Sequence, residues 1–308
     1  MSQPPCISVI MACYNAEAFL RESVDSALGQ SWGNIELVVV DDGSTDDSVT
    51  ILREYGDQIR LIEQHNSGPY PARNRGLDAC HGEWVAFLDA DDYWEPDMLE
   101  KLATALDSQP ADISYCGWRN IGDNLSGNPP YIPPKYEDGD IVRHFLKGTP
   151  WPIHAALIRK SILDQINGFS TRHFSSMDYD LWIRAIAATQ NIVLVPEVLA
   201  YYRWHDQGQI STNRWKQTLN AWHVRRDFAA ANPNLVDHIS QSDQHALING
   251  PLLNMAYQTY WKHDLISAQP LFRKAFLTGA WKLSDLKYIL PSWLPGPIYR
   301  ALLGLADR

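Results

Sequence analysis

Residues 84–97 read WVAFLDADDYWEPD. Five consecutive apolar side chains, Trp84 to Leu88, suit a strand covered on both faces, because a strand with one wet face alternates apolar and polar residues. Three carboxylates, Asp89, Asp91 and Asp92, then crowd four positions at the strand's carboxyl end. Such acids repel one another unless a cation or several donors offset them. Hard divalent ions take oxygen ligands, and Mg²⁺ uses one or two protein carboxylates together with substrate phosphates. An Asp-Ala-Asp at a buried strand end therefore suits a metal–diphosphate site. The competing reading is helix capping by Asp91 or Asp92, or a solvated acidic turn.

The same pattern extends to both sides. ISVIMA (7–12) and IELVVV (35–40) are apolar runs with polar ends, Tyr14 and Asn15 after the first, Asp41 and Asp42 after the second. IRLIEQ (59–64) and DISYCGW (112–118) bring the strands to five. Helices are predicted through AEAFLRESVDSALGQ with Asn15 as cap, through PARNRGLDAC (71–80), and through DMLEKLATAL behind Pro96. Buried strands alternating with helices predict an α/β fold with a doubly wound, mainly parallel sheet. Ligands bind such sheets off the carboxyl ends of the strands, where these polar residues gather. Asp42 can accept a hydrogen bond from a nucleobase N–H there, or belong to an Asp-rich turn capped by Ser44 or Thr45. Neither GxGxxG nor GxxxxGK[ST] occurs.

Downstream, residues 122–140 are rich in Gly, Pro, Asn and Asp and read as a long loop. A helix (IVRHFLK), a strand (HAALIRK), a helix from Asp178 and a strand pair (NIVLVP, VLAYYRW) follow, and the chain reads as helical beyond Asn213. In SSMDYDLWIRAIAA (175–188), Asp178 heads an apolar stripe of Leu181, Trp182, Ala185 and Ile186, while Asp180 faces away. An acid at a helix N-terminus stays ionised, and partial burial raises its basicity, which suits a general base. A capping role fits the same spacing. In YYRWHDQGQIS (201–211), Arg203 and His205 fall on one side of a strand. They can neutralise a diphosphate, with His205 completing a metal shell, or be inert. Arg73 and Arg75 fit either phosphate or base contacts or surface ion pairs.

The 308 residues are 45% hydrophobic and 20% charged, which excludes wholesale disorder and predicts one large or two modest domains. Of the net charge of −10, residues 1–110 contribute 20 acids against 6 bases, and residues 111–308 contribute 16 acids against 20 bases. The acidic front half argues against nucleic-acid binding, which needs clustered Lys and Arg. No run approaches the roughly 20 apolar residues of a membrane span, and the N-terminus lacks a basic n-region, so no signal peptide is expected. Four cysteines without CxxC spacing read as buried thiols of a reducing compartment, hence a cytoplasmic protein. Lys262 to Arg308 holds 7 bases and 3 acids beside Trp281, Tyr288, Ile289, Leu290, Trp293 and Leu294. That mixture suits a membrane-surface helix or, equally, a helical cap on the catalytic domain. Trp118 and Trp151, near loops, are candidate platforms for acceptor sugars.

Five segments, SVIMACYNAEAFL, VVVDDGSTDDS, NSGPYPARNRGLDACHGEWVAFLDADDYW, GFSTRHFSSMDYDLWIRA and YYRWH, stand in an order that resembles the family 2 glycosyltransferases of GT-A fold. The resemblance covers roughly residues 6–210. It implies an inverting transferase that moves a sugar from a nucleoside diphosphate, expected to be UDP, to a glycan or lipid-linked acceptor, with Mg²⁺ or Mn²⁺. It implies a nucleotide-sugar-binding half (1–120), an acceptor-binding and catalytic half of the same domain (121–212) and a helical C-terminal region (213–308). By position, Tyr14 resembles the residue packing on the nucleobase, Asp42 its hydrogen-bond acceptor, and Arg73 the basic residue near base and ribose. Asp89 and Asp91 resemble the DxD pair, with Asp91 the direct metal ligand. Asp178 resembles the catalytic base, and Arg203 and His205 the Arg-x-His pair near the diphosphate, His205 on the metal. The family's usual Glu-Asp reads Met177-Asp178 here. A lipid-linked acceptor would go with peripheral membrane contact through the C-terminal helices, at the inner face of the membrane. The alternative is a non-catalytic nucleotide-sugar- or glycan-binding protein on a decayed scaffold.

Overall fold

The apolar runs become β1 (Ile7–Cys13), β2 (Ile35–Asp41), β3 (Arg60–Glu63) and β4 (Trp84–Asp89), with β1 parallel to β2 and β4, and β2 parallel to β3. The computed structural model describes residues 4–122, 129–173, 175–205 and 214–306. Two units divide the chain: an α/β unit of Met1–His144 and Thr149–Gln209, and a helical unit of Phe145–Gly148 and Ile210–Arg308.

In the α/β unit, β5 (Tyr93–Trp94), β6 (Ile113–Ile121), β7 (Ala156–Arg159) and β8 (Ile192–Arg203) complete one sheet in the order β3-β2-β1-β4-β7-β6-β8-β5. β7 is antiparallel to both β4 and β6, β8 is parallel to β6, and β5 lies antiparallel on the edge. Val9, Ile10, Val38, Val39, Val85 and Phe87 are fully buried, as runs without alternation require. Among the described residues, α1 (Leu20–Leu28), α2 (Ser48–Glu54), α3 (Pro69–Ala79), α4 (Met98–Ser108), α6 (Lys160–Gln165) and α7 (Met177–Ala188) belong to this unit, whereas α5 (Ile141–Lys147) is shared, its part from Phe145 onward belonging to the helical unit. α3 seats directly on β1. A Cβ on Gly76 would come within 2.5 Å of Ile10 Cγ2, so only a residue without one permits that approach.

Three local expectations are corrected. Asn15 does not cap α1, which starts at Leu20; it adopts a positive φ of 49° and its Oδ1 accepts from the Thr45 N–H at 2.7 Å. The side chain ties the β1 end to the loop after β2, a local bond that competes with capping. α2 begins at Ser48 after Asp47, beyond Ser44 and Thr45. The expected strand pair is one strand, β8. Pro196 and Glu197 are absorbed by register shifts that set Cys116 opposite Val195 and Gly117 opposite Val198. Such a bulge accommodates a residue without an N–H.

The helical unit contains α8 (Arg214–Ala231), α9 (Pro233–Val236), α10 (Gln241–Trp261), α11 (Leu265–Thr278), α12 (Leu286–Ile289) and α13 (Gly296–Ala306). Trp222, Leu252, Ala256, Leu271, Phe272 and Ile289 lie in its core. Buried Arg225 on α8 donates to the Leu146 and Lys147 carbonyls at 2.8 and 3.1 Å, satisfying the end of α5. Of the aromatic and aliphatic set read from the tail, Ile289 is fully buried, Trp281 stacks on Phe276 at 5.4 Å, and Tyr288 meets Tyr257 edge-on at 5.3 Å. Leu290 and Trp293 remain exposed, at 57% and 49%. All four cysteines are free thiols, three of them buried. No helix among the described residues is long and apolar enough to cross a membrane.

Candidate active site

The turn after β4 divides its acids by environment. Asp92 is buried. Its Oδ1 accepts the Arg203 N–H at 2.7 Å, and its Oδ2 lies 2.9 Å from His154 Nδ1 without completing an aligned hydrogen bond. His154, also fully buried, stacks on Tyr202 with centroids 5.6 Å apart. Burial pushes the Asp92 carboxyl up, against the opposing pull of His154. Burial works to lower the His154 pKa, but the carboxylates of Asp92, Asp89 and Asp91 outweigh it and raise it. Asp92 and His154 thus form a charge-compensated strut beneath the turn.

Asp91 is half-buried and meets His205 Nε2 through Oδ2 at 2.9 Å. Burial raises its carboxyl, and the neighbouring Asp89 charge adds to the effect. Arg203 donates from Nε to the Asp91 carbonyl at 2.8 Å, pairs with Glu22, and lies 4.7 Å over the Phe19 ring. β8 ends at Arg203, so His205 lies beyond the strand. Strand alternation is therefore not what unites the two residues; they converge because both bind the Asp91–Asp92 turn.

α3 supplies the link across the site. Arg73, buried, forms an ion pair with Asp89 and sits 5.6 and 5.5 Å over the Tyr70 and Phe169 rings. Burial works to lower its pKa, but Asp89 and Asp178 outweigh it, so the guanidinium stays charged. One helical turn earlier, the Tyr70 hydroxyl donates to Asp178 Oδ1 at 3.0 Å. Burial and the Asp178 charge push the Tyr70 phenol up, which keeps it a donor. Asn74, from the same helix, makes two hydrogen bonds of 2.8 Å to the Phe169 backbone and anchors the segment leading to α7.

Asp178 lies in the first turn of α7, and the stripe of Leu181, Trp182, Ala185 and Ile186 is buried as expected, together with Tyr179 and Ile183. Asp180 is buried too, paired with Arg172 at 2.7 Å and Arg184 at 2.6 Å. Arg184 also reaches the Ile166 and Gly168 carbonyls, so Asp180 acts as a structural tie. Asp42 is buried and accepts from Gln64 Nε2, Ser67 N and Gly68 N at 2.7, 2.8 and 2.8 Å. A carboxylate offers about four lone-pair positions, and donors from the described residues fill three of them. Tyr14 follows the β1 end with half its surface exposed. Trp151 is not a platform: it is 1% exposed and stacked on Tyr115 at 4.3 Å. Trp118 is half-buried against Tyr131.

The carboxylates and imidazoles fit a hard or borderline divalent cation. Asp89, Asp92 and His154 bring ligand atoms within 4.8 Å of one another. Asp92 and His154 are sealed from solvent, whereas the side chains of Asp89 and Asp91 are 26% and 29% exposed. The accessible acids are therefore the DxD pair, and Asp89 is already engaged by Arg73. Sequence reasoning missed Tyr70 and His154. Tyr70 was findable, since positions 70 and 73 share a helix face; a lone histidine opening a strand run carries no local signal.

A sequence model of Glycosyl transferase family 2 matches residues 8–177. The uncharacterized glycosyltransferase YibD of Escherichia coli (strain K12) is 40% identical over 305 residues, covering 90% of this chain and 86% of its own. The putative teichuronic acid biosynthesis glycosyltransferase TuaG of Bacillus subtilis (strain 168) is 31% identical over 229 residues, covering 72% and 88%. Among solved structures, S. aureus TarS 1–349 in complex with UDP-GlcNAc superposes with a TM-score of 0.67 at 19% identity, over 98% of this chain and 91% of that one. The mannosyltransferase PcManGT from Pyrobaculum calidifontis, in complex with GDP-Man and Mn²⁺, superposes with a TM-score of 0.57 at 20% identity, over 98% and 84%.

Proposed function

The chain belongs to glycosyl transferase family 2 and is a glycosyltransferase of GT-A fold, and from that premise we propose that it moves a sugar from a UDP-sugar to a hydroxyl of a glycan or lipid-linked acceptor, with inversion and with a divalent cation. The observation that carries this reading is the span of α3, which ties Asp89 at the β4 end to Asp178 at the α7 start through Arg73 and Tyr70. Donor-side and acceptor-side acids are thereby held on one rim.

Tyr14 stacks on the nucleobase and Asp42 accepts its N–H. Asp91 and His205 would hold the cation, with Asp89 beside them on Arg73 and the Arg203 cation toward the diphosphate. When bound, Mg²⁺ or Mn²⁺ supplies a Lewis acid toward the leaving group. Asp178 removes the acceptor proton as the acceptor oxygen forms its bond to the anomeric carbon and the bond to the diphosphate oxygen breaks. Tyr70 orients Asp178. A single carboxylate base suffices, unlike a glycoside hydrolase, which needs two. Residues 1–120 hold the donor, 121–212 the acceptor, and 213–308 the membrane side. Exposed Leu283, Leu290 and Trp293 beside exposed Lys282 and Lys287 support peripheral contact with an anionic bilayer, at its cytoplasmic face.

The test is thermal shift with UDP-GlcNAc, UDP-glucose, UDP-galactose and GDP-mannose, with and without Mn²⁺. Saturating a donor to about 100 times its Kd adds about 2.7 kcal/mol of stability. The expected result is stabilisation by a UDP-sugar in Mn²⁺ alone; no response to any donor under either condition overturns the reading.

A further inference from the structure

A cavity of about 440 Å³ opens at the carboxyl-end half of β6 in the α/β unit, lined by Trp118, Asn120, Tyr131, Tyr136, Thr149 and Pro150 among others, none of them charged. We propose that it is the acceptor subsite and that it takes a neutral pyranose ring, stacked against Trp118 and Tyr131. The proposal rests on the transferase reading above and adds the acceptor's chemical class and place.

The site is built. Tyr131 is fixed by a two-bond bridge to Trp118, N–H to carbonyl at 2.9 and 2.8 Å in opposite directions. That approach needs Gly117, where a Cβ would come within 2.8 Å of the Tyr131 carbonyl and 2.9 Å of the Glu197 carbonyl. The rings of Trp118 and Tyr131 meet at 54° with centroids 4.7 Å apart, forming an aromatic corner. Two further lining residues are tied together, the Tyr136 hydroxyl donating to the Pro150 carbonyl at 3.2 Å.

The polar groups then select the ligand. Indole is a donor only, so the Trp204 Nε1–H bond to Asn120 at 3.2 Å fixes the amide with Oδ1 as acceptor. Asn120 Nδ2, Thr149 Oγ1, Trp118 Nε1 and the Tyr131 hydroxyl have no protein partner among the described residues. Aromatic faces with neutral hydrogen-bonding groups and no cation match the apolar C–H face and equatorial hydroxyls of a sugar. A phosphate would want Arg or Lys, and an acyl chain would leave those polar groups unpaired. The volume lies within the roughly 300–1,000 Å³ of small-molecule sites.

Position identifies the ring as the acceptor's. In the β6–β8 ladder Asn120 faces Tyr202 and Ile121 faces Arg203. Tyr202 stacks on His154 beneath the Asp91–Asp92 turn. The cavity is therefore at the strand end that carries the acids, on the side away from Tyr14 and Asp42, because β7 and β4 separate β6 from β1 and β2.

Saturation-transfer NMR on the full chain with methyl glucoside, methyl galactoside and methyl N-acetylglucosaminide, each with and without UDP and Mn²⁺, tests this. At least one glycoside should receive saturation, and Tyr131→Ala should weaken it about tenfold, the loss expected for one aromatic platform. Asn120→Asp, which keeps the acceptor for Trp204 and removes the amide donors, should weaken it similarly. Trp261→Ala, at an exposed tryptophan of the helical unit, should not. Absence of transfer to every glycoside overturns the proposal, as do a signal that survives both cavity variants and one that Trp261→Ala abolishes. Displacement by a UDP-sugar that the protein binds would make the ring the donor's and overturn the acceptor assignment. Donor binding in the same samples, read by thermal shift, reports separately on the transferase reading.

Discussion

The Tyr70 hydroxyl donates a 3.0 Å hydrogen bond to Asp178 Oδ1 across 108 positions of sequence. Tyr70 rides on the helix whose Arg73 holds Asp89. A shift of α3 would therefore move both acids' partners together, and positioning, more than the identity of either acid, becomes a property of that helix.

Tyr70→Phe should lower kcat by about tenfold or more, the scale of one hydrogen bond to a charged group, with donor KM unchanged. The ring can stay stacked on Phe169, whose centroid is 5.9 Å away, so the melting temperature should hold. Asp178→Asn should abolish transfer while sparing donor affinity. Steady-state kinetics with a defined acceptor, beside donor titrations, checks both; equal losses in KM and kcat would remove Tyr70 from the positioning role.

The two acids of the DxD pair should separate in their effects. Asp91→Ala should reduce donor affinity in Mn²⁺ to its level in EDTA with little change in folding stability. Asp89→Ala should in addition cost about 3 kcal/mol or more, because it leaves the buried Arg73 charge without its counter-ion. Calorimetric titration and urea unfolding of both variants decide this, and indistinguishable unfolding curves would refute it.

Glu36 gives a pH dependence at the opposite end of the sheet. It accepts from Ser8 Oγ, the His81 N–H and the Gly82 N–H, joining the amino ends of β1 and β2 to the turn before β4. Burial works to raise its pKa, but those donors outweigh it and hold it below the usual 4.5. A depressed folded pKa contributes stability above the unfolded value and loses it as pH falls through the folded one. Glu36→Gln should thus cost about 1 kcal/mol at pH 7, and the gap to the unmodified protein should close below pH 4.5. Donor affinity at pH 7 should be unchanged, since the site is at the carboxyl ends. Denaturant melts across pH 3 to 7 provide the readout.

Leu290→Glu combined with Trp293→Glu should abolish co-sedimentation with vesicles containing phosphatidylglycerol, because both side chains are exposed and beside basic residues. Ile289→Glu should instead unfold the helical unit, where Ile289 is fully buried. Unchanged vesicle binding by the double variant would dispose of the membrane contact.

The sequence alone determined the strands whose burial is continuous and local, β1, β2 and β4, and therefore the edge on which Tyr14, Asp42, Asp89 and Asp91 gather, because an apolar run specifies a doubly covered strand and a parallel sheet presents its carboxyl ends together. It could not join NIVLVP and VLAYYRW into the single strand β8, since Pro196 looks like a break until a bulge in the pairing with β6 absorbs it. Nor could it assign Trp151 to the core or His154 to Asp92, because those partners come from distant segments and carry no periodicity. Which acids are sealed, which are reachable, and that one helix grips two of them are consequences of tertiary packing, where burial and charge act through space.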